Sequence, residues 1–116
     1  MGVLLRRFLD LFEREQSPVT LTDEAVEMVR AYAIKAGMGQ DYWVYISARR
    51  FDARTNEYEL DLKAGPKLPG CKYFSHKGLV IGIPEDSIVL LYGAVVSYGD
   101  HDGNAGFIFD SPFVDN

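Results

Sequence analysis

The clearest helix lies at residues 21–36, where apolar residues recur at helical spacing, and nearly everything after it is cut by glycine and proline into short runs with the composition of strands. That contrast limits the fold more than any other feature. A lone helix cannot bury its own apolar stripe, so it has to lie on a sheet built by the rest of the chain. The expected class is therefore α+β: a small mixed β-sheet or sandwich domain with a leading helix and one short helix.

The helix carries its own start and stop signals. Thr22 is suited to cap it, because its hydroxyl can accept from free amides of the first turn. Leu21 and Val26 stand at the two positions of a hydrophobic staple. Asp23 and Glu24 lie at the positive end of the helix dipole, and Arg30 and Lys35 toward the negative end. Gly37 offers the left-handed residue that closes helices. Ala25, Val29, Tyr32, Ala33 and Ala36 form the expected core face.

Residues 42–46 are a strand by their aromatic and β-branched content. Tyr58, Leu60 and Leu62 alternate with Glu57, Glu59, Asp61 and Lys63, so a second strand has one wet face. Residues 49–56 join the two as a polar loop. Gly65, Pro66, Pro69, Gly70 and Gly78 make the next segment mostly loop. Residues 79–83 read as a buried strand, and Pro84 opens a short helix that Gly93 closes. Residues 94–98 and 107–109 are two last strands, parted by a polar turn at 99–104.

At 116 residues the chain is long enough for one modest core. Its net charge of −5 argues against non-specific nucleic-acid binding, which needs a basic face. No apolar run approaches the ~20 residues of a membrane-spanning helix, so no integral membrane association is expected. Cys71 is the only cysteine, which excludes an intrachain disulfide and leaves a cytoplasmic protein as the expectation. The first residues lack the Ser/Thr of a myristoylation signal and do not read as a signal or transit peptide. Leu4, Leu5, Phe8, Leu9 and Phe12 have helical spacing among charged neighbours. Residues 1–18 are thus an added amphipathic helix and linker, packed on its own domain or used to dock a partner or membrane surface, and residues 19–116 are the main domain.

Several short motifs in order carry a resemblance: Leu21-Thr22-Asp23-Glu24-Ala25, Tyr58-Glu59-Leu60-Asp61-Leu62, the run 78–84, Leu91-Tyr92-Gly93, Val96-Ser97-Tyr98, and Gly106-Phe107-Ile108-Phe109-Asp110-Ser111-Pro112. Over about residues 19–114 the chain resembles the A-type iron–sulfur carriers (HesB/IscA-like proteins). The resemblance implies a small mixed β fold with a leading helix and a role in iron–sulfur cluster assembly. Members hold iron or a cluster with three cysteines. The first falls here near Ala53, in a segment without cysteine, and the Cys-Gly-Cys pair would lie beyond Asn116. No cofactor is therefore expected from the residues present. Iron or an iron–sulfur cluster would require sharing between subunits, since cluster iron is usually held by four thiolates.

Three groups of side chains are candidates for chemistry. Cys71 and His76, five residues apart, include the donor types of a metal site, and Lys72 beside Cys71 would favour the thiolate. Against that, two donors are too few for a zinc site, and a cysteine in a loop often has no role. Arg49, Arg50 and Arg54 are suited to grip an anion or an acidic partner, although Asp52, Glu57 and Glu59 are near enough to neutralise them. Asp100-His101-Asp102 has the donors of a cation or acid–base site, while Gly99, Gly103 and Asn104 point to plain turn chemistry. No phosphate-binding glycine loop, HExxH helix or nucleophile elbow occurs, and the serines have no motif around them.

Three functions compete. The first is a divergent, accessory or degenerate A-type carrier-like protein without the usual cluster ligands. The second is a non-catalytic protein-interaction module on the same scaffold. The third and weakest is a small enzyme using His101 or His76. The first two are non-enzymatic, and both expect a protein partner or a homodimer.

Overall fold

The computed structural model describes residues 16–112. The amphipathic segment expected within 1–18 lies outside the described residues up to Glu15. Among those described, seven strands and two helices follow in the order β1 (Val19–Leu21), α1 (Asp23–Lys35), β2 (Tyr42–Arg50), β3 (Asn56–Ala64), β4 (Cys71–His76), β5 (Leu79–Pro84), α2 (Glu85–Leu91), β6 (Ala94–His101) and β7 (Asn104–Asp110).

The strands form two mixed sheets. One has the order β1-β6-β7 and the other β3-β2-β5-β4. β1 runs parallel to β6 and β2 parallel to β5, and the remaining neighbours are antiparallel. The inward faces meet in one core that also takes in both helices: Val19, Leu21, Val29, Val44, Ile46, Ile81, Ile83, Leu91 and Val96 are all fully buried. Tyr58 of β3 stacks on Phe109 of β7 at 4.8 Å, which ties one sheet to the other. This is the expected α+β sandwich.

Helix α1 begins and ends as its sequence dictates. Thr22 Oγ1 accepts from the Ala25 N–H at 3.1 Å, and Leu21 and Val26 are both buried. At the other end the Met38 N–H donates to Ala33 O and the Gly37 N–H to Ile34 O, with Gly37 at φ +70°. This paired closure satisfies two carbonyls that the helix would otherwise leave open. Tyr32 and Ala36 are more exposed than a core face requires, and Val26 takes their place inside.

Two departures from the sequence reading matter. β1 is a three-residue parallel strand just before the helix. Residues 65–78, expected to be mostly loop, include a strand, Cys71–His76, that pairs with β5 along its whole length. The reason is the turn. Lys77 (φ +50°) and Gly78 (φ +81°) form a two-residue, doubly left-handed hairpin connection, whose twist matches that of the flanking strands.

Candidate functional site

The most distinctive end of the molecule is built where β5 gives way to α2. The β2–β5 ladder pairs Val44 with Ile81 and Tyr45 with Gly82. Pro84 then turns the chain into α2, which takes the place of a strand alongside the end of β2. Ser87, 3% exposed, supplies the missing partner: its Oγ accepts from the Ala48 N–H at 3.1 Å and donates to Ala48 O at 2.9 Å. A single hydroxyl thus satisfies both backbone groups of one strand residue, and it holds the end of β2 from which Arg49, Arg50 and the loop 51–55 project.

That loop is closed by its own contacts. Asp52 Oδ1 accepts from the N–H groups of Arg54 and Thr55, both at 2.9 Å. Thr55 O accepts from Phe51 and Asp52. The Arg54 N–H, followed by Thr55, holds the Asp52 carboxyl below its ordinary value. Arg50 Nη1 donates to Ala53 O at 3.2 Å, and Arg49 Nη2 pairs with Glu57 Oε1 at 3.0 Å. The Arg49–Glu57 pair is well exposed, so it adds little stability. Arg49 and Arg50 are successive strand residues and leave opposite faces. The three arginines share one end of the molecule without converging on a point. They make a broad basic rim, and Phe51 in the loop is exposed, as are Val89 on α2 and Tyr92 just after it.

Beside the loop lies a cleft of about 470 Å3 between Thr55, Asn56 and Tyr58 on one side and Phe109, Asp110 and Ser111 on the other. Asn56 is buried; its Nδ2 donates to the Tyr58 hydroxyl at 3.3 Å, and its Oδ1 has no partner among the described residues.

β4 separates Cys71 from His76. Five residues along a strand is about 16 Å, and an odd spacing puts the two on opposite faces. Cys71 lies across from Pro84 on the outer face of the sheet. Burial first, then the Asp86 and Glu85 carboxylates, raise its thiol pKa. Lys72, expected to favour the thiolate, points to the other face. His76 turns inward, where its Nε2 accepts from the Leu21 N–H at 3.0 Å. Burial, then the Lys77 ammonium, lower its pKa. These two residues do not meet, and among the described residues no three His, Cys, Asp or Glu side chains gather as a metal site. A cluster bound as cargo would find no ready set of soft donors among them.

The polar turn expected over 99–104 is shorter than that, because β6 pairs with β7 as far as His101 and Asn104, and only Asp102 of the Asp100-His101-Asp102 group lies in the turn. Asp100 and His101 end β6, and Asp102 (φ +54°) with Gly103 (φ +81°) forms a second two-residue hairpin turn before Asn104. Three features had no signal in the sequence: the Ser87 clamp, the structural role of His76, and the packing of Trp43 over Gly82. Each depends on partners far along the chain.

No protein-family model matches the chain, and no curated protein does. Solved structures do. A crystal structure of IscA with a [2Fe-2S] cluster is 26% identical and superposes with a TM-score of 0.60, covering 81% of this chain and 82% of the other. Escherichia coli SufA, described as involved in biosynthesis of iron–sulfur clusters, is 22% identical with a TM-score of 0.62 over 82% and 86%. A protein from Aquifex aeolicus is 21% identical with a TM-score of 0.63 over 84% and 94%. The chain has the A-type iron–sulfur carrier fold. The resemblance carried by the short motifs therefore holds at the level of architecture. Among the described residues no helix is long and apolar enough to cross a membrane.

Proposed function

We propose that this protein serves iron–sulfur cluster assembly as an accessory on the A-type carrier scaffold, acting through contact with a protein partner rather than as an enzyme. The supporting observation is the end of the molecule formed by β2, the loop 51–55 and α2. At the place where the resemblance puts a cluster-ligating cysteine, the chain has Arg49 and Arg50 at the end of β2 and Arg54 in the loop 51–55 that Asp52 closes, and Phe51 in that loop is exposed. Arginines beside an exposed aromatic ring suit an acidic protein surface, because charge steers the encounter and apolar burial supplies affinity. On this reading Cys71 and His76 hold no shared metal, any iron or cluster passes between the protein and its partner, and the protein works in the cytoplasm. Self-association through the same end is the homodimer form of the proposal.

The experiment is affinity capture from a cell extract with the 116-residue chain and with Arg49→Glu/Arg50→Glu/Arg54→Glu. Retained proteins are identified by mass spectrometry and the capture is repeated at rising salt. A cluster-assembly protein retained by the unmodified chain, released by salt and lost with the charge reversal, supports the proposal. Retention that is indifferent to both overturns it.

The second reading is an interaction module without a part in cluster assembly. The closure of the loop by its own hydrogen bonds suits it equally, and the identity of the captured partner separates the two.

A further inference from the structure

On one side of the sandwich an edge of each sheet faces the other. β3 is an edge of the four-stranded sheet and β7 an edge of the three-stranded one. Between them runs a seam lined by Tyr58, Leu60 and Leu62 from β3 and by Phe107 and Phe109 from β7, all only partly buried. Two clefts open along it. The first, about 470 Å3, runs from Gly93 and Pro112 past the stacked rings of Tyr58 and Phe109. The second, about 420 Å3, lies between Tyr32 of α1, Met38, Leu60, Leu62 and Phe107. β7 makes this side costly to leave bare. Edge strands usually carry charge, proline or a bulge, which keep other chains from pairing with them. β3 has Glu57, Glu59, Asp61 and Lys63 on its wet face. β7 reads Asn-Ala-Gly-Phe-Ile-Phe-Asp, with no charge before Asp110, no proline, and an unbroken register with β6. A helix laid over such an edge is another way to protect it.

The sequence holds a segment suited to that task. Residues 3–15 lie outside the described residues, and their stripe of Leu4, Leu5, Phe8, Leu9 and Phe12 has helical spacing. They join the domain at one end of the seam: Pro18 O accepts from the Gly93 N–H at 2.9 Å, and Gly93 lines the first cleft and lies against Pro112. The length fits as well. From Pro112 back to Phe107 is about 17 Å of strand, and a helix over 3–15 is about 20 Å long. Charge agrees with this direction. Laid from Gly93 toward Phe107, the segment brings Arg6 and Arg7 to the part of β3 that carries Glu59 and Asp61, and leaves Glu13 and Glu15 at the end near Arg54. Lys35 and Asp110 oppose it, and Asp61 already holds Lys63 at 3.2 Å, so charge sets the direction more than the strength. Joined through the short link 16–18, the segment meets the seam at an effective concentration of about a millimolar, which favours it over a second copy of the chain.

We infer that residues 3–15 of this chain form a helix seated along the seam between β3 and β7. Leu4, Leu5 and Phe8 meet the second cleft, Phe12 meets the first, and the uncharged edge of β7 is covered from within the same chain. This seat is distinct from the arginine-bearing end of β2 and stands whether or not that end binds a partner.

Cys71 is the only cysteine, so a nitroxide can be placed at will in the Cys71→Ser chain. The test attaches it on the polar side of the segment, at Arg7→Cys or at Arg14→Cys, and reads the amide signals of the isotope-enriched protein. The label at position 7 should broaden Leu60, Leu62 and Phe107 most, and the label at position 14 should broaden Thr55 and Ser111 most. Tyr73 and Phe74 on β4, the opposite edge of its sheet, should stay sharp under both. A mixture of labelled, unenriched chain with unlabelled, enriched chain should show no such pattern. Leu5→Asp/Phe8→Asp should abolish the pattern and lower Tm by about 5–10 °C, with near-ultraviolet circular dichroism checking that the domain stays folded. The same broadening in the mixture would seat a second copy on the seam and overturn the inference. Broadening spread evenly over the domain overturns it too, and so does a pattern that survives the double substitution.

Discussion

Ser87→Ala should cost far more than a change of one oxygen suggests. The hydroxyl bonds both the N–H and the carbonyl of Ala48, at 3.1 and 2.9 Å, in a site where Ser87 is 3% exposed. Alanine removes both bonds and leaves two buried backbone groups with α2 packed over them. Each unsatisfied group costs about 1–3 kcal/mol, so the expected loss is about 2–4 kcal/mol after some relaxation. In a domain of this size that is a large part of a total of roughly 5–15 kcal/mol, and it corresponds to a fall in Tm of roughly 10–25 °C. Urea titration followed by circular dichroism and Trp43 emission gives the midpoint and slope. Ser47→Ala, on the outer face of the same strand, is the control and should change stability by less than about 0.5 kcal/mol. The clamp argument is refuted if Ser87→Ala loses no more than the control, because water or a small shift of α2 would then be serving the strand edge.

Other outcomes follow from single contacts. Gly82→Ala forces a Cβ into Trp43 and Tyr73 and should destabilise by about 1–3 kcal/mol, with a shifted Trp43 emission maximum that marks the displaced ring. A double-mutant cycle of Tyr58→Leu and Phe109→Leu should give a coupling of about 0.5–1.5 kcal/mol; a value near zero would mean the stacked pair does not join the sheets. His76 has a pKa lowered by the fold, so the unfolded chain binds the proton more readily. Its contribution is complete above about pH 6.5 and is lost as pH falls through the lower folded value. Melting temperature should therefore decline between pH 7 and 5, above the range where Asp23 and Asp52 titrate. His76→Gln, whose carbonyl can still accept from Leu21, should flatten that decline.

What the sequence could reveal was decided by how local each cause is. The caps of α1 lie within four residues of the groups they satisfy, so Thr22, Leu21, Val26 and Gly37 were readable. β3 was readable because one face is wet and its residues alternate. β4 was not: Lys72 and Ser75 interrupt its apolar character, and prolines and glycines crowd the segment before it, so only the pairing with β5 reveals the strand. β1 is too short to show a period. At the candidate site the arginines were visible as a cluster, and their failure to converge was not, because it depends on Arg49 and Arg50 leaving opposite faces of β2. Ser87 and His76 are legible only in three dimensions: their partners, Ala48 and Leu21, lie 39 and 55 residues away.

The proposed role in cluster assembly is by contact with a partner, without Cys71 holding the cargo. Anaerobic reconstitution of the 116-residue chain with iron and sulfide, followed by desalting, a visible absorption spectrum and metal analysis, tests it most directly. The account predicts a folded protein with no retained thiolate-to-iron band and the same spectrum for Cys71→Ser. A stable band that disappears in Cys71→Ser would contradict it and place a cluster between the Cys71 strands of two subunits.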